Sequence, residues 1–589
     1  MKTWKFLGFA SLVVGAFVLA ACNDSSEEEV QNIRIIAMND FHGNIEVPTA
    51  TNGGSVIVKE SAAPINTGGA AFIASLVNQL KSSNKNSIVV AAGDNVNASP
   101  VTSTLFHQEP AIDVLNQIGL EVSSVGNHEF DLGKSELLRL QNGGCFVGGV
   151  VGTDTCLNGG TFSGAKFKYL AANVVGSDGK TLLPATYTKT FGGITVGFIG
   201  LTFKDTPSAV LPSGVAGLTF LDEVATINTY AAKLRSDGAS AVVVLIHQGG
   251  QTTASSLNDK SCPGLTGAIV PIVNALSKDV DVVVSGHTHQ EYVCSVNGKL
   301  LTSTGFYGST LTSIDLTVAK SGVKSVSADN IPVINDTNKT LPTGRVALVK
   351  DPAVDATVQS YVAKAAAVKN LPVGSITATV SRALLPNTST PTRDETAEGA
   401  MGDIMADFYF AGVPKADFAI TNPGGVRADL VFQNGGVVTY GDLLTVAPFS
   451  NDLVTVDLTG AQIIRLLEQQ WEKANCDAKT GVNGCGRLLQ PSSQLKYSWD
   501  ASKPAGASDG AGARLVPGSV TIGGVALDAT KTYRIATNSF LGQGGDNFTV
   551  MKAGVNYTAT GYKDIDAFVA YMKSNPKVSP PVSRVTRIN

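Results

Sequence analysis

IRIIAMNDFHGN, residues 33–44, sets a short apolar run directly against a cluster of polar side chains that can bind metal. Ile33, Ile35, Ile36 and Met38 read as a buried strand, and Asp40 and His42 fall just past its end. The pattern recurs four times. SIVVAA (87–92) runs into GDN, VSSV (122–125) into GNHEFD, AVVVLI (241–246) into HQGG, and DVVVS (281–285) into GHTHQ. ITVGFIGL (194–201) is a further strand, while AAFIASLVNQL (70–80) and VATINTYAAKLRS (224–236) have helical spacing. This alternation predicts an α/β layered domain over residues 33–340.

Ligands of such folds gather outside the carboxyl ends of the strands. Five of the six histidines lie there: His42, His128, His247, His287 and His289. Only His107, in STLFHQEP, stands apart and reads as an ordinary residue. Histidines kept for core packing would not all fall at strand ends. With Asp40, Asp94 and Asn127 they supply enough nitrogen and oxygen donors for two divalent ions. Carboxylate, imidazole and amide donors suit Zn²⁺, Mn²⁺ and similar borderline cations. A pair of such ions can clamp both oxygens of a phosphoryl transfer and acidify a water.

At 589 residues the chain is too long for one core, so a second domain is required. A formal net charge of −4 gives no general attraction for nucleic acid or an anionic membrane. Lys2 and Lys5 precede an apolar run, Phe6–Ala20, that is too short for a spanning helix. Its end, Leu19-Ala20-Ala21-Cys22, resembles the lipobox of bacterial lipoproteins. That resemblance implies a signal peptide over 1–21, a lipid on Cys22, a tether over 22–32 and an extracytoplasmic site on the cell envelope. The remaining six cysteines form sequence-near couples, Cys145/Cys156, Cys262/Cys294 and Cys476/Cys485, read as local disulfides.

The loop DTNKTLP (336–342) leads into the helical stretch DPAVDATVQSYVAKAAAV (351–368), which reads as a linker helix within 341–370. Beyond it, ADFAITN, VVTYGDLLTVAPF, LVTVDLTG, the helix AQIIRLLEQQWEKA and the late ATNSFLGQGGDNF mix strand and helix. They predict an α+β domain over 371–589, with Trp471 in its core.

The ordered set D-x-H, G-D, G-N-H-E, H and G-H-x-H resembles the calcineurin-like metallophosphoesterases. NDFHGN, GNHEFD and the C-terminal motifs are similar to the 5′-nucleotidase / UDP-sugar hydrolase family, from about Ile33 to the C-terminus. The resemblance implies a four-layered sandwich followed by an α+β substrate-binding domain, and two divalent ions (Zn, Mn, Co or Mg). Asp40, His42, Asp94 and His289 would hold the first; Asp94, Asn127, His247 and His287 the second, with Asp94 bridging. Some members carry glutamine in place of His289. His128 would be the catalytic group, oriented by Asp131.

In the second domain ITNPGGVR presents Asn422 and Arg427, PFSND presents Phe449 and Asn451, and SFLGQGGDNF presents Phe540 and Asp546. By resemblance, the two rings sandwich a nucleobase, the arginine meets charged groups and Asp546 holds ribose hydroxyls. Two flat rings grip any base face, and a carboxylate accepts from two hydroxyls. Arg393, before GAMGDIMADF, is either a phosphate ligand or a helix cap. The expected substrates are small nucleotides, with no nucleic acid, and the chain is expected to be a monomer. The motifs leave open a nucleotide-sugar hydrolase or a cyclic-nucleotide phosphodiesterase. A surface nucleotide-binding protein without activity would lack part of the ligand pattern, and here every position is filled.

Overall fold

The computed structural model describes residues 1, 28–48, 65–336, 341, 345–386 and 392–589. The leader, Cys22 and most of the tether fall on residues 2–27, outside the described residues. No helix among the described residues is long and apolar enough to cross a membrane.

Strand β1 (Val30–Met38) sends Ile33, Ile35 and Ala37 into one core and Ile36 and Met38 into another. A strand apolar on both faces must be covered on both. The first domain continues with β2 (Ser87–Ala92), β3 (Val122–Ser124), β4 (Lys168–Leu170), β5 (Thr186–Phe191) and β6 (Ile194–Thr202). It then adds β7 (Ala241–His247), β8 (Val282–Ser285), β9 (Glu291–Val296), β10 (Lys299–Thr304), β11 (Thr310–Ala319) and β12 (Gly322–Pro332). Two six-stranded sheets result, ordered β12–β11–β1–β2–β3–β4 and β9–β10–β8–β7–β6–β5.

Ile33, Val90, Phe198, Val243 and Val284 fill the space between the sheets. Helices α1 (Ala70–Ser83) and α2 (Glu109–Ile118) cover the outer face of the first sheet. Helices α3 (Glu223–Ser236) and α4 (Ile269–Ala275) cover the second. The result is the helix–sheet–sheet–helix sandwich. Each fully buried Val, Ile or Leu in these layers contributes about 1.5–3 kcal/mol. The connecting helix α5 (Pro352–Lys369), capped by Asp351, packs Val354, Val358, Tyr361 and Ala365 into the core beside α1 and α2.

The second domain holds helices α6 (Ala400–Gly412), α7 (Gly460–Glu468), α8 (Lys473–Ala478) and α9 (Asp564–Ser574). The strands of its two larger sheets are β13 (Phe418–Thr421), β14 (Asp452–Thr459), β15 (Gln490–Pro491), β16 (Leu495–Asp500), β17 (Thr521–Ile522), β18 (Val525–Ala526), β19 (Thr532–Asn538), β20 (Val555–Lys563) and β21 (Val585–Ile588). They form a mixed sheet, β15–β13–β19–β14–β20, and a smaller one, β18–β17–β16–β21. Helices α6 and α9 pack on one face of the mixed sheet, and α7 with Trp471 and Trp499 on the other. Disulfides join Cys145 to Cys156, Cys262 to Cys294 and Cys476 to Cys485, as the sequence spacing predicts.

Candidate metal centre and substrate cleft

Strands β1, β2 and β3 run parallel in one sheet, and β7 and β8 run parallel in the other. Their carboxyl ends therefore open onto one edge, where Asp40, His42, Asp94, Asn127, His247, His287 and His289 meet. The turns are tight. Asp40, His42, Asp94, His287 and His289 all have left-handed backbones, with φ of 50°, 48°, 50°, 72° and 57°. Such conformations cost about 1–3 kcal/mol each and persist where the surroundings enforce them. Gly126 is required here: a Cβ on it would collide with the Asp94 carboxylate.

Two pairs of interactions fix the rings. His42 donates from Nδ1 to the Asn97 carbonyl at 2.8 Å, and His247 from Nδ1 to the Ala92 carbonyl at 2.8 Å. Each Nε2 lone pair is thereby turned into the cluster. His42 Nε2 lies 3.2 Å from His289 Nε2, and His289 Nε2 lies 3.3 Å from Asp40 Oδ1. His247 Nε2 lies 3.0 Å from Asp94 Oδ2, which is also 3.7 Å from His42 Nε2. Asp94 thus faces both halves of the cluster.

Acceptors facing acceptors in a buried site need a cation between them. Asn127 Oδ1 is buried with no hydrogen-bond partner among the described residues, and His247 Nε2 faces the Asp94 carboxylate. Two triads, Asp40/His42/His289 and Asp94/His247/His287, each bring their ligand atoms within 4.8 Å of one another. Burial holds His42 and His287 down at about 3, so both are neutral donors near pH 7. Burial also disfavours charge on His247, but the Asp94 carboxylate outweighs it and lifts that ring to about 10. A proton and a metal ion therefore compete for His247. The residues fit divalent ions of the kind the phosphoesterase fold implies.

His128 stands over this cluster. It is close enough to His42 and Asp94 to form a third such group, but its Nδ1 is taken by Asp131 Oδ2 at 2.7 Å. Its backbone N–H donates to Asp94 Oδ1 at 2.9 Å. Burial lowers its basicity, yet Asp131 and Asp94 together raise it above the ordinary histidine value.

The second domain closes the cleft. Phe449 stacks on His128 with ring centroids 5.9 Å apart, and the Arg427 guanidinium lies 5.8 Å from the Phe449 ring. Arg427 has no carboxylate partner within 4.0 Å among the described residues, whereas Arg393 donates to Glu395 at 2.7 Å. Asn422 donates to Asp546 Oδ2 at 2.8 Å, and Arg487 pairs with Asp546 Oδ1 at 3.1 Å. Phe540 lies against Gly545 in the turn that carries Asp546. The Asn451 backbone carbonyl accepts from the Asp564 backbone N–H at 2.9 Å. His107 stacks on Phe146 at 3.8 Å, outside the cluster.

Several contributors carry no separate signal in the sequence. Glu129, within GNHEFD, accepts from the N–H groups of Asp94, Asn95 and Gly126 at 2.9, 2.7 and 2.6 Å. It ties two ligand loops together, and its place inside the motif is the only hint of this. Phe203 packs its ring 4.5 Å from His287, and Phe306 stacks on His289 at 4.9 Å. Arg487 and Glu395 join Asp546 to Arg393 only through the fold.

Comparison with known proteins agrees with this architecture. The chain is 28% identical to endonuclease YhcR of Bacillus subtilis across 93% of its own length, and spans 40% of that longer protein. It is 29% identical to cell wall protein Lmo0130 of Listeria monocytogenes, covering 97% of this chain and 71% of the other. The crystal structure of a 5′-nucleotidase precursor from Thermus thermophilus superposes with a TM-score of 0.70, at 23% identity, covering 95% of this chain and all of that one. The calcineurin-like phosphoesterase model matches residues 33–291, and the 5′-nucleotidase C-terminal domain model matches residues 372–553. The chain belongs to the 5′-nucleotidase-type calcineurin-like metallophosphoesterases and is a phosphoric ester hydrolase.

Proposed function

We propose that the chain hydrolyses small nucleotides outside the cytoplasm, releasing phosphate and nucleoside with the help of two divalent ions. One observation carries the reading: buried ligand atoms converge on Asp94 beneath His128, and Arg427 stands opposite. Asp40, His42, Asp94 and His289 would hold one ion, and Asp94, Asn127, His247 and His287 the other. Such ions would draw charge from the phosphoryl oxygens and make hydroxide accessible near neutral pH.

The chain's own groups do the rest. Arg427, with no carboxylate within 4.0 Å among the described residues, binds the phosphoryl oxygens from the side of the second domain. His128, held by Asp131, presents Nε2 to the leaving oxygen and gives it a proton as the ester bond breaks. Asp131 keeps the ring in one tautomer and favours its charged form. Phe449 and Phe540 offer faces for a base, Asn422 steadies Asp546, and Asp546 accepts from ribose hydroxyls. Arg393 supports the phosphate side through Glu395. Residues 22–32 place the enzyme on the cell envelope through a lipid on Cys22.

The test is a substrate panel on the purified enzyme. AMP should give a higher kcat/KM than UDP-glucose or 2′,3′-cyclic AMP. A tenfold preference for either of the others would replace this reading with a nucleotide-sugar hydrolase or a cyclic phosphodiesterase.

A further inference from the structure

The stretch after Trp471 carries chemistry that the mechanism above leaves unused. Helix α8 ends at Ala478, Lys479 follows, and Thr480–Gly481 pairs with Gly484–Cys485 in a small hairpin. The Cys476–Cys485 disulfide closes this loop. So short a segment has no core of its own, and it is fixed from outside. Val482 N donates to Asp394 Oδ2 at 3.1 Å, Asn483 Nδ2 to the Thr396 carbonyl at 2.8 Å, and Asn547 Nδ2 to the Ala474 carbonyl at 3.4 Å. A Cβ at Gly481 would collide with the Asp394 carboxylate.

These clamps aim Lys479 at the cleft. Its Nζ lies 3.3 Å from Glu395 Oε1. Glu395 already serves Arg393 at 2.7 Å and Arg487 at 3.1 Å, and Arg487 also pairs with Asp546. Arg427 has no carboxylate within 4.0 Å among the described residues. Three cations therefore share the Glu395 carboxylate, and Lys479 is one of them. A phosphoryl group at the cluster engages Arg427. Lys479 is then available to a second anionic group. The Lys479 side chain is 42% exposed, against 18% for Arg393 and 14% for Arg487, so it is the cation most free to turn to a ligand.

We propose that Lys479, held over the cleft by the disulfide-closed hairpin, is a specificity-determining residue that binds a second anionic group of the substrate. That group is a β-phosphate. The proposal rests on the phosphohydrolase reading and extends it from nucleoside monophosphates to nucleoside diphosphates. On binding, Lys479 leaves a carboxylate that keeps two arginine partners, so its departure exposes no buried charge.

The experiment compares kcat/KM for ADP and AMP in the metal-replete enzyme. Lys479→Ala should lower the ADP/AMP ratio about tenfold, the range of one charge-assisted hydrogen bond. Lys479→Arg should restore most of it, and the double variant Cys476→Ser/Cys485→Ser should lower the ratio in the same direction. A ratio within twofold of wild type in Lys479→Ala overturns the proposal. A second readout uses p-nitrophenyl phosphate as substrate, with methylenediphosphonate and inorganic phosphate as inhibitors and metal in excess. Lys479→Ala should weaken methylenediphosphonate relative to phosphate about tenfold, and an unchanged ratio again overturns the proposal. If the wild-type enzyme cleaves p-nitrophenyl phosphate but neither nucleotide, the nucleotide reading fails and the inhibitor ratio still decides Lys479.

Discussion

Asp131→Asn isolates the catalytic proton from the metal ligands. Asp131 Oδ2 sits 2.7 Å from His128 Nδ1, and the two side chains are 13% and 15% exposed. Asparagine keeps the shape but removes the charge, leaving at best a neutral hydrogen bond. Burial pushes His128 toward its neutral form, while Asp131 and then Asp94 raise it above the usual value. A charge-assisted hydrogen bond in such a setting is worth about 1.5–3 kcal/mol. The variant should therefore lose about ten- to a hundredfold in kcat. The pH dependence has a definite sign. A raised pKa keeps the ring protonated to higher pH, so its loss should move the alkaline limb of kcat to lower pH. Steady-state phosphate release from AMP at saturating metal, measured across pH, reads both effects. Metal content, measured on the same preparations, should stay near that of the wild type. A kcat within threefold of wild type, or an alkaline limb that does not move, would refute the assignment of His128 as proton donor.

Glu129→Gln should loosen the metal centre without touching it. The amide N–H₂ cannot accept one of the three backbone N–H groups that Glu129 now holds. An unsatisfied buried donor costs about 1–3 kcal/mol, and bound metal by elemental analysis should fall accordingly. Arg427→Ala should raise KM for AMP about tenfold or more, with Arg427→Lys recovering part, because a point charge replaces a planar fork. Asp403 probes stability alone. Burial, reinforced by Glu398, pushes its carboxyl up to about 9 against only partial relief from Arg584. Between its ordinary value of 3.8 and about 9, the folded state holds a proton that the unfolded chain has released. Stability should therefore fall as pH rises through that window. Asp403→Asn should flatten the profile and melt above the wild type at pH 8.5 by calorimetry.

The fold of the first domain was legible because each strand announces its own end. Apolar runs on both faces of β1 and β2 demand a buried sheet, and the ligands begin where the runs stop. The same logic brought the candidate ligands to one edge of the fold, since a strand end fixes where a short side chain must lie. Trp471 is buried against Trp499, as its place on an amphipathic stretch implies. Contacts made by chain crossings were not legible. Nothing near Arg487 in sequence indicates Asp546, which lies 59 residues on, or Glu395, which is supplied from 92 residues before. Phe449 reads as a base-stacking ring, but only the docking of the two domains places it on His128. Charge balance in the cleft is a sum over four separate segments, and no local pattern encodes it.

The central claim is that a pair of divalent ions on Asp40, His42, Asp94, Asn127, His247, His287 and His289 drives phosphoester cleavage beneath His128. Its most direct test is a metal titration of chelator-stripped enzyme, following phosphate release from AMP. The account predicts no release from the stripped protein and recovery that saturates at two equivalents of Zn²⁺, Mn²⁺ or Co²⁺. Phosphate release that survives stripping, or full recovery at one equivalent, would contradict it.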